Sequence, residues 1–236
     1  MNKRWEILPI DEKKQILLEK NLHISSSLAE ILTRKNLDEN SAKLFLNPTK
    51  IPYHDPFLLK DMEKACQRLL LALKNKEKIC IYGDYDVDGV SSTALLMTVF
   101  TKLGFNIDYY LPDRHSEGYG LHIESLQKLI PKYDLLITVD CGITALDEVD
   151  YAKDKIDMII TDHHLPREIL PDAFAIINPT QTQCIYPNKN LCGVGVAFKL
   201  CQGLYQSLNK DIHKLENYLD IVALGTIADI VPLVDE

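Results

Sequence analysis

From Lys78 onward, short apolar runs alternate with stretches of helical periodicity. The runs are "KICIYGD", "NIDYYLP", "DLLITVD", "DMIITDHH" and "AFAIINP". Between them the pattern predicts helices from Ser91 to about Lys102, from about Ile123, and near Ala145 to Lys153. Strand and helix in alternation need crossover connections, so the fold expected is α/β: a mostly parallel sheet with helices on both faces. Further on, "GVGVAFKLCQGLYQSL" and "IHKLENYLDIVALGTIADIVPL" read as two more helices. Ahead of the first strand, Leu59, Met62, Cys66, Leu69 and Leu73 recur at spacings of three and four, which predicts a helix with one face packed inward.

The first 55 residues have a different texture. Two charged amphipathic stretches, "DEKKQILLEK" and "SSSLAEILTRKNLDENSAKLFL", predict two short helices, the second opening on a Ser cap and ending before Asn47-Pro48. The connector "NPTKIPYHDPF" carries three prolines in eleven residues and marks a boundary. The expected organisation is a helical N-terminal segment over residues 1–55 and an α/β domain over 56–236.

Composition narrows the class. With 236 residues, 46% of them hydrophobic, the chain can bury a sizeable core. No stretch is apolar enough to span a bilayer, and "MNKRWEILPIDEKKQ" lacks the apolar core of a secretory signal, so a soluble cytoplasmic protein with no membrane partner is expected. The six cysteines include no C-x-x-C pair, which argues against disulfides and a structural zinc. A formal charge of -8 offers no bulk attraction for nucleic acid, so a phosphate-bearing substrate needs local positive charge, which bound divalent ions supply.

Candidate chemistry gathers where strands end. "ICIYGD" finishes on Asp84, "LLITVD" on Asp140 and "MIITD" on Asp162, followed by His163 and His164. The carboxyl ends of parallel strands share one edge, where ligands bind, so these groups should converge. The first cluster, "GDYDVDGVSST", alternates Asp84, Asp86 and Asp88 before Gly89 and serines able to cap the next helix. Crowded carboxylates repel one another and resist desolvation unless a cation neutralises them. Carboxylates with imidazole suit Mn²⁺, with Mg²⁺ as substitute. A calcium loop fits poorly, because its twelfth position, counted from Asp84, is Leu95 rather than Glu. Asp140 taken alone could merely cap a helix, and Cys141 beside it reads as a packed thiol. "HSEGYGL" reads as a flexible loop, and "GVGVAFKL" as either a phosphate cradle or a point of close packing.

Together these motifs resemble the DHH phosphoesterase superfamily, and within it the branch of single-strand-specific exonucleases. The resemblance runs through "LFLNPTKIPYHDPFLLKDMEKA", "IYGDYDVDGVSSTALL", "LPDRHSEGYGL", "LLITVDCGIT", "TDHH", "INP", "LCGVGVAFKL" and "ALGTIADIVPL", nearly everything after the first forty residues. It implies a divalent-metal-dependent exodeoxyribonuclease with two Mn²⁺ or Mg²⁺ ions. The implied ligands are Asp84, Asp86, Asp140 as the bridge, His163 and Asp229. Asp86, Asp140 and His164 would carry the chemistry, His164 facing the scissile phosphate, with Asp88 and Asp162 supporting. Arg114 either binds phosphate or serves the surface.

The implied activity is 5'-to-3' release of 5'-mononucleotides from single-stranded DNA in repair and recombination, beside a repair helicase or single-strand-binding protein. Tyr85, Tyr119 and Tyr186 are candidate stacking platforms for bases. Two departures stand out. Tyr82 occupies a position that is often a histidine ligand in relatives, which predicts one metal bound weakly or completed by water. The family's substrate-binding and OB-type domains are not in this sequence, which predicts a fragment of reduced activity. The alternatives are an oligonucleotide or cyclic-dinucleotide phosphodiesterase, and a non-catalytic scaffold.

Overall fold

The computed structural model describes Glu6, residues 9–48 and residues 52–236. Residues 49–51 of the predicted connector, and most of the first eight residues, lie outside the described residues. The chain divides into two compact units, Met1–Tyr53 together with Glu236, and His54–Asp235.

The first unit holds α1 (Glu12–Leu22), α2 (Ser26–Arg34) and α3 (Glu39–Leu46), which bury Leu18, Ala29, Leu32 and Ala42. Ser25 caps α2 by accepting from the Leu28 N–H. The second amphipathic stretch, expected as one helix, is two. Asn36 turns into the left-handed region at φ 58, and Asp38 then caps α3 by accepting from the Ser41 N–H. Both are short polar residues suited to those positions.

The second unit runs α4 (Met62–Asn75), β1 (Lys78–Tyr82), α5 (Val87–Leu103), β2 (Asn106–Tyr110), α6 (Ile123–Leu129), β3 (Leu135–Val139), α7 (Leu146–Ala152), β4 (Asp157–Thr161), β5 (Ala175–Ile177), α8 (Gly193–Ser207) and α9 (Leu219–Ala228). The five strands are all parallel, in the order β2-β1-β3-β4-β5. Three elements differ from expectation in detail, α4 at two residues. Leu59 is buried but precedes α4. Leu73 is only half-buried, its expected place on the inward face being taken by Ala72. The stretch from Ile212 is a 3-10 segment, Ile212–Tyr218, before α9 begins. Finally, α5 starts at Val87 rather than Ser91, because Asp86 caps it by accepting from the Gly89 N–H at 2.9 Å.

Side chains alternate along each strand, so the two faces carry different cores. Cys80 and Tyr82 of β1, Leu136 of β3, and Met158 and Ile160 of β4 pack with Leu126 and Leu129 of α6 and with Val149 and Ala152 of α7. On the other side α8 packs against α4, α5 and α9. Strand order reverses at β1, which leaves a crevice beyond the carboxyl ends of β1 and β3.

The two edges of the sheet treat acids differently. At the amino edge Arg68, nearly buried, pairs with Glu77 at 2.7 Å and Asp157 at 2.6 Å. Among the described residues, no Lys or Arg pairs with the acids at the carboxyl edge. The six cysteines are all free and buried, so the expectation of packed thiols rather than disulfides agrees with the structure. No helix among the described residues is long and apolar enough to cross a membrane.

Candidate metal centre

The loop after β1 delivers three acids. Asp84 is fully buried; its Oδ1 accepts from the Tyr85 N–H at 2.7 Å and its Oδ2 has no hydrogen bond. Asp86 spends Oδ1 on the α5 cap. Asp88, in the first turn of α5, accepts from the Gly193 and Val194 N–H groups at the start of α8, at 2.5 and 2.8 Å. Those are the amides that a phosphate cradle at "GVGVAFKL" would need, so of the two readings of this segment the structure takes close packing. A Cβ on Gly193 would lie 2.7 Å from the Cβ of Asp140, so the approach of α8 to Asp140 requires glycine.

Asp140 follows β3 with a left-handed backbone, φ 59, a conformation that costs an aspartate about 1 kcal/mol. Its N–H donates to the Thr161 carbonyl, and the Thr138 hydroxyl donates to the Cys141 carbonyl, which holds the turn. After β4, Asp162 is buried and accepts four bonds, from the N–H groups of His163, His164 and Ile143 and from the His164 Nδ1 at 2.7 Å. This saturated carboxylate holds His163, His164 and Ile143 in place. Asp229, the last residue of α9's C-terminal turn, places Oδ2 3.6 Å from the His163 Nε2.

The donors fall into overlapping groups, each with one atom per residue and all atoms within 4.8 Å of one another. Asp84, Asp86 and Asp140 form one; Asp88, His163 and Asp229 form another; Asp140, His163 and His164 form a third. Asp140 therefore stands between the first group and His163, whose Nε2 lies 3.2 Å from its Oδ1 without the alignment of a hydrogen bond. Asp140 Oδ1, Asp84 Oδ2 and His163 Nε2 are buried and unbonded. Among the described residues no Lys or Arg pairs with any acid of the cluster; its only ionic partners are the two histidines. These orphaned atoms, oxygen and imidazole nitrogen on an all-acid background, fit divalent cations such as Mn²⁺ or Mg²⁺.

Electrostatics record the same tension. Burial, then repulsion from Asp88, Asp86 and Asp162, pushes the Asp140 carboxyl up to about 10. Burial pushes Asp84 up to about 6 and also raises Asp88. Burial would raise Asp162 as well, but its bonds to His164 and the backbone outweigh it and hold that carboxyl below its usual value. The bond to Asp162 raises His164. Burial raises the Cys141 thiol well above its normal range, so this cysteine is a packed thiol.

Several expectations need correction. Tyr82 is no ligand position: its fully buried ring sits on the α6 side of the sheet and its hydroxyl donates to the Gly120 carbonyl at 3.0 Å. Asp84, already an expected ligand, stands with Asp86 and Asp140 in one donor group. Asp88, expected in support, has both oxygens on the α8 amides and also lies within reach of an ion shared with His163 and Asp229. Tyr186 is fully buried, with His54 edge-on to it at 5.8 Å, and cannot stack on a base. Tyr119 is half-exposed beside His164, with Tyr85 edge-on at 6.5 Å, and the exposed Arg114 lies over the Tyr85 ring at 5.3 Å. The "HSEGYGL" loop is tied down rather than flexible: Glu117 accepts from the Tyr110 and Ser125 hydroxyls and the Asp113 N–H. One group escaped the sequence reading, the Tyr119 hydroxyl, which contacts His164.

Residues 78–226 match the family described as "DHH family, N-terminal domain". The chain belongs to the DHH family. The residues that spell this name are Asp162, His163 and His164, and the matched region spans every strand and all but the last donor. Among relatives, the single-stranded-DNA-specific exonuclease RecJ of Bacillus subtilis is 44% identical over 236 residues, 99% of this chain and 29% of that protein. Among solved structures, exonuclease RecJ bound to manganese has 34% identity and a TM-score of 0.70 over 77% of this chain and 46% of that one. RecJ in complex with Mn²⁺ from Thermus thermophilus has 28% identity and a TM-score of 0.78 over 98% of this chain and 32% of that one. This chain spans about a third of the length of the curated DHH-family relatives it matches.

Proposed function

We propose that this chain carries the two-ion phosphodiesterase centre of a single-strand-specific 5'-to-3' exodeoxyribonuclease that releases 5'-mononucleotides. The observation that carries the reading is Asp140: a buried, unbonded carboxylate oxygen between two donor groups that no Lys or Arg among the described residues neutralises. Asp84, Asp86 and Asp140 would hold one Mn²⁺ or Mg²⁺ ion, and Asp140, Asp88, His163 and Asp229 the other. Bound there, the ions lower the pKa of a water and neutralise the phosphate.

The protein's own part is orientation and charge. Asp162 accepts from Nδ1 of His164, which leaves Nε2 of a part-exposed ring to donate to a non-bridging phosphate oxygen as charge builds there. Arg114 and the rings of Tyr85 and Tyr119 border the same crevice and would hold the strand's phosphate and base. Single-stranded DNA is the proposed partner, with a repair helicase or single-strand-binding protein on the resemblance alone. The scaffold reading had Tyr82 as its hint, and that residue serves the fold through its buried ring and its bond to Gly120.

The test incubates 5'- and 3'-labelled single strands, duplexes and dinucleotides with Mn²⁺ and either wild type or Asp140→Ala. Mononucleotides from the 5' end of single strands, absent with the variant, support the reading. Cleavage of dinucleotides alone moves the substrate to short oligonucleotides or cyclic dinucleotides, and metal-independent binding without cleavage points to a scaffold.

A further inference from the structure

His164 stands between two partners. Its Nδ1 lies 2.7 Å from the Asp162 Oδ1, and the Tyr119 hydroxyl lies 3.2 Å from its Nε2. That hydroxyl also donates to the backbone carbonyl of Asp140 at 3.3 Å. The same hydroxyl lies 3.5 Å from Nδ1, so it sits against the side of the ring between the two nitrogens and leaves the Nε2 N–H direction open to the crevice. The two rings meet edge-on, centroids 6.0 Å apart at 78°. The His164 side chain is 42% exposed, so packing alone does not fix it. Held only at Nδ1, the ring could swing about that single bond. A second contact, the Tyr119 hydroxyl against both ring nitrogens, restrains this.

We infer that Tyr119 is a positioning residue: its hydroxyl sets the ring plane of His164 and ties it to the backbone of Asp140. The loop that brings Tyr119 there is itself braced. Glu117 is bonded to Tyr110 at the end of β2, to Ser125 in α6 and to the Asp113 N–H, and the Tyr82 hydroxyl at the end of β1 holds the Gly120 carbonyl. Asp113 closes the loop's first turn by accepting from the His115 and Ser116 N–H groups. Tyr82 thus serves the centre from a distance: it anchors the loop whose tyrosine aligns His164. A displacement of about 1 Å in such a group costs up to a hundredfold in rate.

The functional half of this inference rests on the phosphodiesterase reading; the structural half needs no substrate. Crystals of wild type should show His164 in one orientation, and crystals of Tyr119→Phe should show it rotated or split. In Mn²⁺-dependent cleavage of single strands, Tyr119→Phe should lower kcat ten- to a hundredfold with KM within twofold, and Tyr133→Phe, whose hydroxyl bonds Asp108 away from the centre, should match wild type. The double variant with His164→Ala should lose no more than His164→Ala alone, since Tyr119 acts through that ring. An unmoved His164, an unchanged kcat, a defect in KM alone, or losses that multiply in the double variant would each overturn the inference. If wild type itself cleaves nothing, the phosphodiesterase reading falls, and the crystals still decide whether Tyr119 holds His164.

Discussion

Replacing Asp140 with asparagine should make the metal-free protein more stable while abolishing its response to Mn²⁺. Burial and the acids around it hold the Asp140 carboxyl up to about 10, against ~4 in an unfolded chain. The folded state therefore binds the extra proton. The stability that proton confers is complete below pH ~4 and is lost as pH rises towards 10. At ~1.4 kcal/mol per pH unit, the deficit at pH 7 approaches ~4 kcal/mol. Asparagine carries no charge and tolerates the left-handed backbone at φ 59. Its amide lacks a full set of partners, so a recovery of ~2 kcal/mol is expected. In a chain of this size that raises Tm by about 4–8 °C. Scanning calorimetry in EDTA at pH 7 and pH 5 measures it, and the gain should shrink at pH 5, where the carboxyl titrates less far from its unfolded value. Added Mn²⁺ should raise the Tm of wild type and leave Asp140→Asn unmoved. A variant that melts below wild type in EDTA at pH 7, or an equal gain at both pH values, would refute the reasoning.

Other consequences follow from the same cluster. Because Asp84 and Asp140 are held up to about 6 and about 10, Mn²⁺ must displace protons; calorimetry should find affinity rising about tenfold per pH unit between 6 and 8, and a flat profile would contradict the crowding. Gly193→Ala puts a Cβ 2.7 Å from Asp140 and should cost ~2 kcal/mol and weaken Mn²⁺ binding together; wild-type Tm and affinity would show that α8 need not abut Asp140. Tyr82→Phe removes the bond to Gly120 at the loop, so thermal melts should show a loss of ~1 kcal/mol with Mn²⁺ affinity within twofold of wild type. A large loss of affinity would return Tyr82 to the ligand shell.

The strands are legible in the sequence because each is a short apolar run that stops at a turn or an acid, and parallel topology then brings Asp84, Asp140, Asp162 and His163 to one edge. Asp88 is harder to read. Its spacing continues the alternation of Asp84 and Asp86, but its place among the donors depends on α8, whose first amides lie 105 and 106 residues further on. Tyr82 misleads because the motif suggests a ligand, while strand alternation sends its ring to the α6 face with Cys80. Tyr186 sits in the polar stretch "TQTQCIYPNKN" yet is buried beneath His54 and Lys199, a packing that no local pattern encodes. The Tyr119 hydroxyl escapes for the same reason: its contact to His164 joins two loops 45 residues apart.

The central claim is a paired-ion centre bridged by Asp140, and anomalous diffraction from a Mn²⁺-soaked crystal tests it most directly. Two peaks are predicted, one among Asp84, Asp86 and Asp140, the other among Asp140, Asp88, His163 and Asp229, with His164 bound to neither. No peak at these residues, a single peak that Asp140 does not touch, or His164 as a ligand would contradict it.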